Sequence, residues 1–461
     1  MKLRTYQERG KNNIVNKPAN ALFFPMGYGK TRTVLSAIYD LMWDHLTVQK
    51  VLVLAPKRVA LIEWPTQLER EIPGARYVVV HSDKANQIRQ NAQFYFMSYS
   101  SLAWFYRETL NTPQGLPHFD MVVYDESTFL NTPSSTRWKI CETMFTNIKR
   151  KVLLAGKPSP NGILDLWGQI YLLDQGKRLF GSLENFRTCK FMVTGGDVYK
   201  RYEPMRGTAE WVAEQLADLV TTIKPHEKLQ LPELIEIDIA CEMGSSEQKQ
   251  YERLEKRDIF EGNAFRKICD NPASSLMSLR QMAQGFMYAG KDDQEKAPEM
   301  VHHHKIEAVQ EIVDGNADSN ILIAVQFIED VKRLQAKFKC PAIYSKTTDK
   351  ETADYIKRWN AGNLPMLAVH PASVAHGMNL QSGGNIVIWF GLPWDLDHYD
   401  QLNARLHRSG QDKVVRVYHL IMKDTIDEVI MSVLKKKDVT QTALLTSLAE
   451  YVAKKSNGGA I

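Results

Sequence analysis

Three groups of residues in this chain have types and spacings that could do chemistry. The first is Gly27-Tyr28-Gly29-Lys30-Thr31, set between the apolar run Ala21-Leu22-Phe23-Phe24 and an amphipathic helical stretch. Glycines let backbone N–H groups close on phosphate oxygens, and a helix opening just after them adds a favourable dipole. In that arrangement Lys30 reaches the β- and γ-phosphates of a nucleoside triphosphate, and the Thr31 hydroxyl binds Mg2+. The full pattern G-x-x-x-x-G-K-[ST] is not met, because Phe24 stands at the first glycine position. A glycine turn before an ordinary helix is the plain alternative. The second group is Asp125-Glu126, closing the run Met121-Val122-Val123-Tyr124. A carboxylate at a strand end can hold Mg2+ through water, and its neighbour can orient and deprotonate an attacking water. Alone, the pair reads as a solvated strand terminus; with the lysine loop upstream, the hydrolytic reading prevails. The third group is Gln401, Arg405 and Arg408, at intervals of four and three, which puts them on one helix face. Guanidinium groups suit the charge that develops on a transferred γ-phosphoryl group. A solvated basic face, or one touching nucleic-acid phosphates, has the same spacing.

The elements that must position these groups are legible as apolar runs. Residues 51–56, 76–81, 93–99, 121–126 and 151–156 read as buried strands alternating with helical patterns, which argues a parallel sheet with helices on both faces. In such sheets ligands sit at the carboxyl ends of the strands. Strand logic returns at 321–327, 341–345, 365–370, 385–390 and 414–421, and residues 157–300 between the blocks show helical periodicity, charge and few strand signals. The predicted fold class is α/β, with two parallel-sheet lobes in tandem and a helical middle region. The first lobe is placed at 1–223, with a helical extension over about 160–223. The second is placed at 224–461, with a helical insertion over about 245–300 and a closing C-terminal helix.

Composition narrows the class without deciding it. With 58 Lys and Arg against 53 Asp and Glu, the net charge of +5 permits an anionic partner and does not demand one. Cys141, Cys189, Cys241, Cys269 and Cys340 form no C-x-x-C pair, so neither a zinc site nor a redox motif is indicated. Scattered thiols fit a reducing compartment. The start MKLRTYQERG lacks the apolar core of a signal peptide, and no apolar run approaches the ~18 residues that span a bilayer. The expectation is a soluble intracellular protein with no membrane partner, cytoplasmic if bacterial or viral. His302-His303-His304 stand on an expected helix, where adjacent side chains point apart, and no partner cluster for a metal is visible.

Taken together these segments resemble a superfamily 2 helicase or translocase, and more narrowly its Swi/Snf-type branch. The resemblance runs from about Leu3 to about Leu434. LRTYQERG resembles the opening motif in which the glutamine, here Gln7, recognises adenine. PMGYGKT resembles MGLGKT, where a first position other than glycine is usual. APKRVALIEWPTQLER resembles the segment with a Trp and an acidic helix, and MSYSSL the loop that touches a DNA strand. VVYDESTFLNTPSSTRWK resembles the DEAH box with its following segment, and LLAGKPSPNGILDLWGQIYLLDQGKRLF the LTGTP…N…ELW run. SVAHGMNLQSGGNIVIWFGLPWDLDHYDQLNARLHRSGQ resembles the fifth and sixth motifs. The resemblance implies two RecA-like lobes, ATP and Mg2+ as cofactors, and a monomer acting on DNA, duplex favoured over single strands or RNA. It assigns Gly377 and Asn379 to coupling of DNA and ATP, Gln401 to the nucleotide site, and Arg405 and Arg408 to arginine-finger work. Two positions depart from the family: Thr128 replaces the His of DEAH and Lys157 the Thr of GTP. Both bear on coupling; Asp125 and Glu126 remain. The alternatives are a strand-separating DNA or RNA helicase of the same superfamily, a nucleotide-gated DNA-binding scaffold, and a DNA-binding module with a relict ATP fold.

Overall fold

Strands buried on both faces read as unbroken apolar runs, because helices cover each side of a parallel sheet. The computed structural model describes residues 3–194, 201–224, 227, 231–257, 259–289, 297–374, 378–408 and 410–436. It divides into two units, one running through Leu229 and the other spanning Gln230–Lys436. The first holds β1 (Ala19–Phe23), β2 (Val51–Ala55), β3 (Tyr77–Val80), β4 (Phe94–Ser98), β5 (Met121–Asp125), β6 (Arg150–Ala155) and β7 (Val220–Thr222). They pair in parallel throughout, in the order β3-β4-β2-β5-β6-β1-β7. β2 shows why the run is unbroken. Leu52 and Leu54 enter the core on one face of the sheet, and Val51, Val53 and Ala55 the core on the other.

Register sets the site. Asp125 pairs with Leu154, and Leu154 with Leu22. The loops after β1, β5 and β6 therefore leave neighbouring strands at one edge of the sheet. Four helices of this unit matter below: α1 (Thr5–Asn16), α2 (Lys30–Tyr39), α3 (Trp64–Glu71) and α4 (Leu166–Asp174).

The second unit holds β8 (Leu234–Cys241), β9 (Ile321–Ala324), β10 (Ala342–Ile343), β11 (Met366–Val369), β12 (Ile386–Trp389) and β13 (Val415–Met422). It too is wholly parallel, in the order β8-β13-β12-β9-β11-β10. Its helices include α5 (His304–Asp314) and α6 (Leu396–Leu406). Two parallel sheets in tandem with interleaved helices is the α/β architecture expected. Among the described residues no helix is long and apolar enough to cross a membrane.

The middle region departs from the expectation. The helices Ser245–Arg257 and Pro272–Gln284 fall where periodicity puts them, but β8 is an eight-residue strand in a stretch read as helical and poor in strand signals. Its sequence alternates, with Glu236 and Asp238 exposed between half-buried isoleucines. Both carboxylates stand on one face of this edge strand, where Glu236 accepts from Tyr399 OH and Asp238 from Lys435 Nζ, and the pattern is weaker than the apolar runs of the central strands. Small antiparallel pairs at 191–204, 259–268 and 286–300 were likewise unforeseen. The histidine triplet also differs: only His304 lies in a helix. His302 precedes it, buried, with its ring stacked on that of His304 at 4.8 Å.

One buried ion pair closes the second unit. Lys305, fully enclosed at the start of α5, donates to Asp427 Oδ2 at 2.6 Å and to Phe390 O at 3.1 Å. The same Asp427 oxygen accepts from Met422 N, so β13, α5 and the helical residues 426–436 meet at one carboxylate. Removing one member of such a pair strands the other in a dry interior. Lys305→Ala is expected to destabilise the second unit by about 3–5 kcal/mol. A lowered urea midpoint for that unit's unfolding checks this; an unchanged midpoint contradicts it.

Candidate nucleotide site and arginine-bearing helix

After β1 the chain makes a tight loop in which Gly27 (φ +80°) and Gly29 (φ +74°) take left-handed conformations, at little steric cost only for glycine. Gly29 caps α2, and Lys30 is its first residue. The loop is backed by Gln7 from α1. Its Nε2 donates to Tyr28 O at 3.2 Å, and its Oε1 accepts from Arg4 N at 2.9 Å. A Cβ on Gly29 would stand 2.4 Å from Gln7 Nε2. Tyr6, beside Gln7, packs its ring against Phe24 and Tyr28, both at 5.6 Å.

Lys30 Nζ donates to Phe24 O at 3.0 Å, across the loop. A neutral carbonyl is an acceptor that an anionic phosphate oxygen can replace with a stronger bond. Thr31 follows in the first turn, half-buried. The loop after β6 approaches the same ammonium: a Cβ on Gly156 would lie 3.5 Å from Lys30 Nζ.

β5 ends on Asp125, only 5% exposed. The indole Nε1 of Trp64, on α3, donates to its Oδ2 at 2.8 Å, and Glu126 N donates to its Oδ1 at 3.0 Å. Burial, then the neighbouring Glu126 charge, push the Asp125 carboxyl up to about 7; the Trp64 hydrogen bond and Lys30 pull it back. A divalent cation would act in the same direction as Lys30. The available donors, the Thr31 hydroxyl and the Asp125 carboxylate, are the hard oxygens Mg2+ takes. Glu126 is half-buried and sits at φ +50°, ψ +60°, leading into the short turn Ser127–Leu130. That conformation costs a residue with a side chain about 1–2 kcal/mol and is the kind of strain that collects at functional sites.

Gln7, Gly27, Gly29, Lys30, Thr31, Asp125 and Glu126 are thus gathered within the first unit, around the carboxyl ends of β1 and β5. Trp64 was missed as a partner for Asp125. Its signal is chemical: a buried indole needs an acceptor for its N–H.

The second unit carries Gln401 and Arg405 on α6. Gln401 is buried, and Arg405 Nη1 donates to Met378 O at 3.3 Å. α6 is fixed to the sheet by Trp389 Nε1, which donates to Asn403 Oδ1 at 3.0 Å, and by Tyr399 OH, which donates to Glu236 at 2.7 Å. Arg408 corrects the sequence reading. The helix ends at Leu406 and His407 caps it at ψ 78°, so Arg408 lies beyond the helix and does not share its face. A turn follows in which Gly410 adopts φ +97° and Gln411 N donates to Arg408 O at 3.0 Å. The Gln411 amide secures the turn by donating to Gln381 O, Gly384 O and Leu406 O. Gly377 lies outside the described residues; Asn379 takes part through its carbonyl, which accepts from Asn360 Nδ2 at 2.7 Å. Among the described residues no group of three or more His, Cys, Asp or Glu could hold a metal.

The glycine constraint is testable. Gly29→Ala meets both a disfavoured φ and the Gln7 amide, and is expected to cost roughly 1–3 kcal/mol and to abolish the thermal stabilisation given by an ATP analogue. Adding Gln7→Ala relieves the collision but not the backbone strain, so melting temperature recovers in part. Unimpaired analogue binding by Gly29→Ala would refute the loop's role.

Comparison with known proteins completes the assignment. Residues 6–285 match the model of the SNF2-related domain, and residues 304–410 that of the helicase conserved C-terminal domain. Protein p41 of Acyrthosiphon pisum secondary endosymbiont phage 1 is 29% identical, over 96% of this chain and 98% of its own length. An uncharacterized ATP-dependent helicase of Mycoplasma pneumoniae is 25% identical over 94% of this chain, and the "Probable ATP-dependent DNA helicase CHR23" of Arabidopsis thaliana 24% over 94%. The chain spans only 41% and 42% of those two relatives. With a lysine loop and paired carboxylates in one parallel-sheet unit, and a helicase C-terminal domain in the next, the chain belongs to the SNF2-related family and is an ATP-hydrolysing, helicase-type core.

Proposed function

We propose that the chain is a DNA-stimulated ATPase that translocates along DNA, mainly duplex, without needing to separate its strands. The observation that carries the reading is the gathering of Lys30, Thr31, Asp125 and Glu126 at the carboxyl ends of two nearby strands of one sheet. Lys30 holds the β- and γ-phosphates, Thr31 and Asp125 hold Mg2+, and Glu126 orients the attacking water. Gln7 contacts adenine from the back of the loop, and Gly27 and Gly29 let backbone amides face the phosphates. The bound cation supplies charge neutralisation on the phosphate oxygens. Gln401 belongs to the nucleotide-binding residues, and Arg405 and Arg408 meet the charge that develops in the transition state.

DNA as the partner is supported by the Swi/Snf-type resemblance and by the Arabidopsis relative, whose name specifies a DNA helicase. The net charge of +5 is compatible with it. Contacts are expected mainly to phosphates, with weak sequence preference and affinity that falls steeply with salt. The expected form is a monomer.

Phosphate release measured with and without duplex DNA is expected to rise with DNA; equal rates would defeat the motor reading. Lys30→Ala is expected to abolish turnover. Arg408→Ala is expected to lower kcat by about 10³-fold or more with ATP binding largely retained, and normal turnover would remove Arg408 from the site. Triplex displacement with ATP, run beside a forked-duplex unwinding assay, separates the modes. Displacement without unwinding is expected; unwinding without displacement would make the chain a strand-separating helicase.

A further inference from the structure

Gln169 lies on α4, outside every group considered so far, and is completely buried. Its amide is used in full. Oε1 accepts from Ser127 Oγ at 2.6 Å, and Nε2 donates to Pro158 O at 2.5 Å and to Asp165 O at 3.0 Å. Ser127, also completely buried, directly follows Glu126. Pro158 belongs to the loop after β6, the loop that brings Gly156 to Lys30. One side chain therefore joins the turn that carries Glu126 to the loop that lies beside Lys30. The helix is seated for this contact. A Cβ on Gly168 would come within 2.8 Å of Leu130 O and Asn131 O, and Trp138 Nε1 donates to Gly168 O at 2.7 Å. No bulkier residue at 168 would let α4 approach the turn as closely.

We infer that Gln169 is a positioning residue for hydrolysis, holding Glu126 in its catalytic orientation through Ser127 and tying that orientation to the loop after β6. The argument is conformational. Glu126 sits in a left-handed conformation that a residue with a side chain keeps only where its surroundings over-determine it. The Ser127–Gln169 bond is a buried constraint one residue away, and with both Nε2 protons engaged the amide cannot turn without losing a bond in a dry environment. Without the bond the turn can relax toward ordinary backbone angles and carry the Glu126 carboxylate off the attacking water. Misplacement on the scale of an ångström costs about 10²-fold in rate, while phosphate binding, which depends on the glycine loop and Lys30, is left intact. The inference rests on the reading that Glu126 orients the attacking water.

The test uses the full chain with Ser127→Ala, Gln169→Leu, the double variant, and Glu126→Gln as control. kcat and KM for ATP are measured, together with affinity for a fluorescent non-hydrolysable ATP analogue and melting temperature. Each single variant is expected to lower kcat by about tenfold or more with KM and analogue affinity within about twofold. The double variant is expected to be no slower than Gln169→Leu, since both changes break the same link. A purely structural role predicts instead that kcat follows melting temperature and that analogue affinity falls with it. That result, independent multiplying losses, or unchanged kcat in both single variants beside an inactive Glu126→Gln would overturn the inference. If Glu126→Gln itself turns over normally, the reading of Glu126 fails and the positioning role fails with it. Should Gln169→Leu not fold, Ser127→Ala alone decides, because it removes the link and leaves the Gln169 side chain in place.

Discussion

The nucleotide site depends on a lack of space. Where Gly29 would carry a Cβ, the Gln7 amide already lies 2.4 Å away. The loop and the N-terminal helix are joined at this point by the Gln7 side chain. Gln7 Nε2 donates to Tyr28 O, the positive φ at Gly27 and Gly29 disfavours a side chain at either position, and α2 starts with Lys30. The same steric fact explains why Phe24 at the first glycine position does no harm. It is enclosed in the core beneath Tyr6, and the turns that need freedom come after it.

A second tension sits across the sheet edge. Asp125 is a carboxylate in a buried place, stabilised by an indole N–H, a backbone N–H and a lysine shared with the phosphate loop. Burial alone disfavours its charge, and a cation bound there would relieve that cost. Glu126 stores strain of another kind, in its backbone. Burial of a carboxylate and a left-handed backbone both cost stability, and such costs collect at functional sites. The stability needed to hold them comes from cores on both faces of a seven-stranded sheet.

Much of this was legible in the sequence because parallel strands announce themselves as apolar runs and phosphate loops as glycines before a lysine. β5 and β6 are legible from residue type alone, whereas β1 shows only as a short apolar run and β7 lies in a stretch expected to be helical. β8 is not legible, since an edge strand with Glu236 and Asp238 on one face has no apolar run to detect. Spacing puts Arg408 on a helix face and is blind to the end of the helix at Leu406, where His407 leaves helical backbone angles. Trp64 and Gln169 lie in segments that carry the family resemblance, yet their partners are not legible there for a further reason. Each acts through a partner some 61 and 42 positions away in the chain, and no local pattern encodes such a distance. The His-to-Thr change at Thr128 attracted notice, yet it is the neighbouring Ser127 that forms the buried link.

The central proposal is that Arg405 and Arg408 are needed for hydrolysis of ATP and for the conformational change that accompanies it. Energy transfer between two labels tests it most directly. Cys189 is the exposed cysteine and the other four are buried, so it takes one dye, and Ser432→Cys on the exposed side of the last helix takes the other. Transfer measured with Mg2+ and ADP–aluminium fluoride is predicted to change relative to the nucleotide-free protein, and this change is predicted to vanish in the Arg405→Ala/Arg408→Ala variant. Unaltered transfer in the wild-type chain, or an equal change in the arginine variant, would contradict the account.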